Sequence, residues 1–190
     1  MNDFTLWFSI GFEHILDWQG YDHICYVVVL SILFPSSEWK KLLVLVTAFT
    51  IGHSLTLALS TLSIIKPPHK LIEILIPVTI LLTCVFNIVK RNKPVKAISF
   101  NYVLALFFGL IHGMGFSYLL KSMLGREESI VGPLFSFNVG LEAGQLVIVA
   151  SVLLISVILE RFFRMAKRDY VFFISSAVFG ISSVMFLERI

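Results

Sequence analysis

Five histidines and a few carboxylates, most of them set in apolar surroundings, carry whatever chemistry this chain performs. His14, Asp22 and His23 stand near its start, His53 and His112 each lie in the middle of a long hydrophobic run, and Glu142 lies in another. Neutral imidazoles with one or two carboxylates make a ligand set for a divalent transition metal: imidazole-rich sites suit Ni, Co, Cu and Zn, whereas oxygen-rich sites suit Mg, Ca and Mn. His69, beside Pro67 and Pro68, is read as a solvated loop residue. Cys25 and Cys84 are far apart and no C-x-x-C pair occurs, so neither a disulfide framework nor a thiolate cluster is predicted. The sequence contains no H-E-x-x-H, G-x-S-x-G or Walker loop, which removes an ATP-driven pump from consideration for this chain.

Spacing refines each candidate. His14 and Asp22, eight residues apart, fall about 80° from one another on a continuous helix and share a broad face. Gly20 between them offers a break instead. Asp22 and His23 are adjacent, so either a distorted turn brings both to one metal or one is the ligand and the other supports it, as a carboxylate does for a ligating imidazole. Gly52-His53-Ser54 and His112-Gly113-Met-Gly115 embed their histidines among small residues that let helices approach closely. Asn138, Glu142 and Gln145 follow at i, i+4 and i+7 and form one polar stripe, with Gly140 and Gly144 beside it. Asn138, Gln145 and Ser54 are therefore expected to line a path or support the ligands.

The elements that must position these residues are membrane-spanning helices. Of 190 residues 57% are hydrophobic and 14% charged, and the mean hydropathy is +0.91, far from the balance of a water-soluble domain. Apolar runs of about 20 residues suffice for a span, and the breaks predict six, near 20–34, 41–65, 70–89, 98–120, 133–159 and 170–187. Residues 4–17 form a seventh apolar stretch too short to span, expected as an interfacial or re-entrant helix or as an extension of the first span. The expected fold is thus all-α, one transmembrane domain over residues 1–190. No Lys or Arg precedes Lys40, and Asp3, Glu13 and Asp17 give the start the wrong sign for a signal peptide, so it is read as mature protein. Lys and Arg concentrate in loops one, three and five: Lys40, Lys41, Lys90, Arg91, Lys93, Lys96, Arg161, Arg164, Lys167 and Arg168. The other side has Lys66, Lys70, Lys121, Arg126 and Arg189. Both ends of the chain are therefore expected on the outer side. Topology accounts for the net charge of +3, and no nucleic-acid partner is predicted. The segments 49–59 and 107–116 echo one another, each placing a His beside small residues, as in a parallel internal repeat.

At His14-Ile-Leu-Asp-Trp-Gln-Gly-Tyr-Asp22-His23, at FTIGHSLTLAL around His53, at FFGLIHGMGF around His112 and at FNVGLEAGQL around Glu142, the sequence resembles the HupE/UreJ family. That resemblance covers about 130 residues in the family's order. It implies a small nickel or cobalt permease, with His14, Asp22 and His23 as the family's metal-binding element and His53, His112 and Glu142 following by matching blocks. The His14 to Asp22 spacing is longer than in the hydrogenase-linked members, so the resemblance implies a metal site more specifically than it implies nickel.

The leading expectation is a secondary permease of the bacterial inner membrane, its partners a metal ion (Ni, Co, Zn or Cu) and the lipid bilayer, with self-association left open. In it an ion is captured by the acidic outer segment, partly dehydrated at His14, Asp22 and His23, and passed inward along His53, His112 and the Glu142 stripe, all six residues being placed in the outer half or at mid-depth. The alternative from a different class is a zinc-dependent intramembrane hydrolase using a metal-bound water. A third is a metal-independent subunit of a larger membrane complex.

Overall fold

A computed structural model describes residues 3–66, 68–91, 98–124 and 130–190. Lys93, Lys96, Arg126 and Pro67 lie outside the described residues. Among the described residues the chain forms seven α-helices and no strand: α1 Asp3–Leu16, α2 Asp22–Ser31, α3 Trp39–Thr61, α4 His69–Lys90, α5 Ile98–Leu124, α6 Val131–Arg161 and α7 Lys167–Arg189. Five of these, α3 to α7, are long and apolar enough to cross a membrane. The six predicted spans are corrected on this point, because the first, 20–34, contains a helix of only 10 residues, about 15 Å of rise.

Local chemistry explains the short elements. After α1 the carboxylate of Asp17 accepts the backbone N–H of Gln19 at 2.9 Å, an Asx turn that competes with helix continuation, and Gly20 follows. Asp22 restarts the helix by accepting the N–H of His23 at 2.8 Å, one of the orphan donors of a helix start. Phe34-Pro35 then ends the helical path, since the residue before a proline avoids the α conformation. A 3-10 turn at Ser36–Glu38 leads into α3.

Packing then sets directions. Helices α3 and α5 lie side by side in parallel at backbone contact: Gly109 rests on the carbonyl of Phe49 and Gly113 on that of His53, so a Cβ at either would overlap main chain. Small residues provide such closeness where lipid offers no hydrophobic drive between helices. The two segments that echo one another in sequence are therefore partners in space. Helix α1 packs on α6 in the same manner and direction, with Gly11 on Phe137, Gly140 on Phe8 and Gly144 on Ile15. It is not an isolated interfacial helix. Helix α2 packs on both α4 and α6, and on the α4 side Asn87 Nδ2 donates to the carbonyl of Val29 at 2.5 Å. Residues 17–21 thus separate two short helices that both touch α6, and α1 and α2 follow one another in series.

One end of the bundle gathers His69, Leu124, Val131 and Arg189, here the His69 end. The other gathers Leu33, Trp39, Arg161 and Lys167, where Lys167 Nζ donates to the carbonyl of Leu33 at 2.7 Å. A Gly109→Val substitution is expected to force α3 and α5 apart and destabilise the protein by roughly 3 kcal/mol, read as a lowered thermal midpoint in detergent. The same change at Gly180, which has no neighbour within 4 Å, should leave the midpoint unchanged.

Candidate metal centre

The break between α1 and α2 places His14 and His23 on its two sides, and the parallel α3–α5 pair delivers His53 and His112 to the same depth. One ligand nitrogen of each of His14, His23 and His53 lies within 4.8 Å of the others. Ring centroids are 4.6 Å apart for His14 and His23, 6.0 Å for His14 and His53, and 5.9 Å for His23 and His53. His112 joins at 5.0 Å from His23. Ligands at about 2.1 Å around a tetrahedral ion stand about 3.4 Å apart, so the three imidazoles need to close by up to about 1.4 Å.

Hydrogen bonding identifies which nitrogens are free. His23 Nδ1 faces Asp22 Oδ1 at 2.9 Å, which assigns its proton to Nδ1 and leaves Nε2 as a lone pair. Thr79 donates its hydroxyl to the carbonyl of Ile76 at 2.7 Å, so at 3.3 Å from His112 Nε2 its oxygen can only accept. The free lone pair of His112 is then Nδ1. Buried with no hydrogen-bond partner among the described residues are His14 Nε2, His23 Nε2, both nitrogens of His53 and His112 Nδ1. His53 and His112 are wholly inaccessible. Each such group left unmet costs about 1–3 kcal/mol, and a divalent cation would meet several at once.

Other predicted residues fall elsewhere. Asp22, 7% exposed, has both oxygens engaged, Oδ1 with His23 and Oδ2 with Arg189 Nη2 at 3.2 Å. It therefore orients an imidazole. Glu142 stands apart from the cluster, its Oε1 accepting from Thr47 Oγ1 at 2.6 Å. Thr47 precedes His53 by six residues, about 9 Å along α3 away from the His69 end, so Glu142 meets α3 near the middle of that helix, below the level of the imidazoles. Gln145 Oε1 accepts from Thr50 Oγ1 at 2.8 Å between the two levels, Asn138 Nδ2 donates to the carbonyl of Leu134, and Ser54 Oγ to that of Thr50. Asn138 Oδ1 and Gln145 Nε2 remain buried without partners among the described residues. His69 is half-exposed at the start of α4, its Nδ1 3.4 Å from Glu73 Oε2.

A cavity of about 250 Å³ opens at the His69 end and reaches His14, His23 and His112 past Asp17, Glu73 and Arg189. Below the imidazoles the floor is aromatic: the Tyr26 ring lies 5.3 Å from that of His112 and 5.1 Å from Phe49. A second, mostly apolar cavity of about 380 Å³ lies beyond Tyr26, reached by Thr83, Asn87 and Asn101. Sequence reasoning passed over Thr79, Tyr26 and Arg189. Arg189 had a signal in Pro77, which has no N–H for the carbonyl of Glu73 four residues earlier, and Arg189 Nη1 donates to that carbonyl at 3.3 Å.

Fold and site together define a helical bundle, built for a membrane, that encloses a group of converging imidazoles. The family model described as HupE / UreJ protein matches residues 1–189, and the chain belongs to the HupE/UreJ family. No curated protein and no solved structure matches it.

Replacing Asp22 by Asn keeps the shape of the side chain and removes the charge that orients His23. Affinity for Co²⁺ is expected to fall by about 10- to 100-fold with the number of sites unchanged, measured by competition titration of the purified protein.

Proposed function

We propose that this chain is a secondary permease for a divalent transition metal, with nickel or cobalt as cargo, and that His14, His23, His53 and His112 hold the ion during passage. The observation that carries the proposal is the convergence of imidazole nitrogens, buried and unpartnered, at the break between two half-length helices. Discontinuous helices that meet at an ion site deep in the bundle are a recurring construction of secondary transporters. The donors support the cargo class, because imidazoles favour Ni, Co, Cu and Zn over Mg or Ca, and membership of the HupE/UreJ family supports nickel or cobalt within it.

In this reading α1 and α2 complete a sixth crossing of one transmembrane domain in the bacterial inner membrane. The Lys167 end faces the cytoplasm, since Lys40, Lys41, Lys90, Arg91, Arg161, Arg164, Lys167 and Arg168 collect there. The cargo enters from outside through the 250 Å³ cavity, where Asp17 and Glu73 supply negative potential. It exchanges water for imidazole at the cluster. Onward movement follows the polar contacts of α3 and α6, from Thr50 and Gln145 to Thr47 and Glu142. A mixed imidazole and carboxylate path binds weakly enough to release its ion at each step, which conduction requires. The hydrolase alternative gains nothing from the surroundings of the cluster: Ser54 is turned to its own helix at 2.6 Å and Glu142 is held by Thr47.

Proteoliposomes containing the protein are expected to accumulate ⁶³Ni²⁺ or ⁵⁷Co²⁺, and a His53→Ala/His112→Ala variant to lose at least about 90% of that uptake, as removal of two ligands from one site would. Elemental analysis is expected to find a stoichiometric metal in the purified parent and none in the variant. Uptake at the level of empty vesicles for nickel, cobalt, copper and zinc would overturn the proposal.

A further inference from the structure

The cavity that leads to the imidazoles contains a fixed positive charge. Arg189 lines it, and its guanidinium is held at two points: Nη2 faces Asp22 Oδ2 at 3.2 Å and Nη1 donates to the carbonyl of Glu73 at 3.3 Å. The second anchor exists because Pro77 gives α4 no N–H for that carbonyl. Arg189 is thus tied by α4 and α2 into the entrance. A cation here is at first sight unwelcome, since any divalent ion bound by His23 lies one imidazole away from Asp22 and hence close to the guanidinium.

We infer that Arg189 is a tethered counter-cation that weakens the imidazole site for its metal and so keeps occupancy reversible. The inference deepens the permease reading and rests on it. Two effects act in the same direction. The guanidinium repels an arriving divalent ion through a partly desolvated cavity, where charges interact more strongly than in water. It also draws on the charge of Asp22, so the carboxylate passes less electron density through His23 to a bound metal. Between one cargo ion and the next, the same contact keeps the buried carboxylate paired, and an unpaired buried charge is strongly destabilising. Arg189 is a positioning residue in this scheme, touching no ligand nitrogen and acting through Asp22 and the field of the cavity.

The opposite role predicts the opposite result. If Arg189 served only to hold Asp22 in place, its loss would disorder the carboxylate and weaken binding. The test is equilibrium binding of Co²⁺ to detergent-purified protein, followed by visible absorption, for the parent, Arg189→Gln and Arg189→Lys. Arg189→Gln is expected to bind Co²⁺ about tenfold more tightly or better, since one charge at this range and dielectric is worth that much, with the absorption envelope unchanged. Arg189→Lys, which keeps the charge, should stay within about threefold of the parent.

A second variant covers the event that Arg189→Gln does not fold. Pro77→Ala returns a donor to the Glu73 carbonyl in an otherwise helical segment, releasing one anchor of Arg189 while favouring the helix. Its Co²⁺ affinity should rise in the same direction by a smaller factor. Unchanged or weaker binding in the folded variants, with the parent binding Co²⁺, overturns the inference and leaves the permease reading standing. A parent that binds no Co²⁺ overturns both.

Discussion

Buried imidazole nitrogens without partners are the constraint on which the rest of this structure turns. At the depth of His53 there is no bulk water to meet a lone pair or an N–H, and both ring nitrogens of that residue lack a hydrogen bond among the described residues. One such side chain is an ordinary cost of packing. Several converging on the same few ångströms are the arrangement that a ligand set for a cation requires. The glycine contacts of α3 with α5 and of α1 with α6 serve this convergence by bringing backbones close enough for short side chains to meet.

The carboxylate nearest the cluster shows how charge is managed without solvent. Asp22 does three things from one position: it starts α2, fixes the tautomer of His23 and pairs with Arg189. None of these roles is compatible with free movement of Asp22, and the break before it is built from an Asx turn and a glycine. The arginine itself is held by a carbonyl that a proline in the middle of α4 left over. A backbone irregularity in one helix thereby determines the electrostatics at the mouth of another.

The two ends of the site differ in kind. Toward the His69 end the cluster meets a cavity with carboxylates, whereas toward the Lys167 end it meets Tyr26 and Phe49, and beyond them a mostly apolar space. The polar contacts between α3 and α6 run beside this aromatic floor. The described arrangement is therefore open toward the His69 end and walled by aromatic rings toward the other.

By itself the sequence determined the helical, membrane-type character of the chain, five of its long helices and the identity of the histidines worth following, because hydropathy and helix breaks are properties of contiguous residues. The small residues around His53 and His112 also announced close helix approach. The tertiary structure alone decided that α1 packs on α6, that the first predicted span is a half-length helix, that Asp22 serves His23, and that Glu142 is held by Thr47 rather than by the imidazoles. Each depends on which helices neighbour one another and in which direction, and a hydrophobic pattern records only that a face is buried. Arg189 was legible as a loop charge but its meeting with Asp22, 167 residues earlier, was not, since contacts at that separation leave no local trace in a single chain.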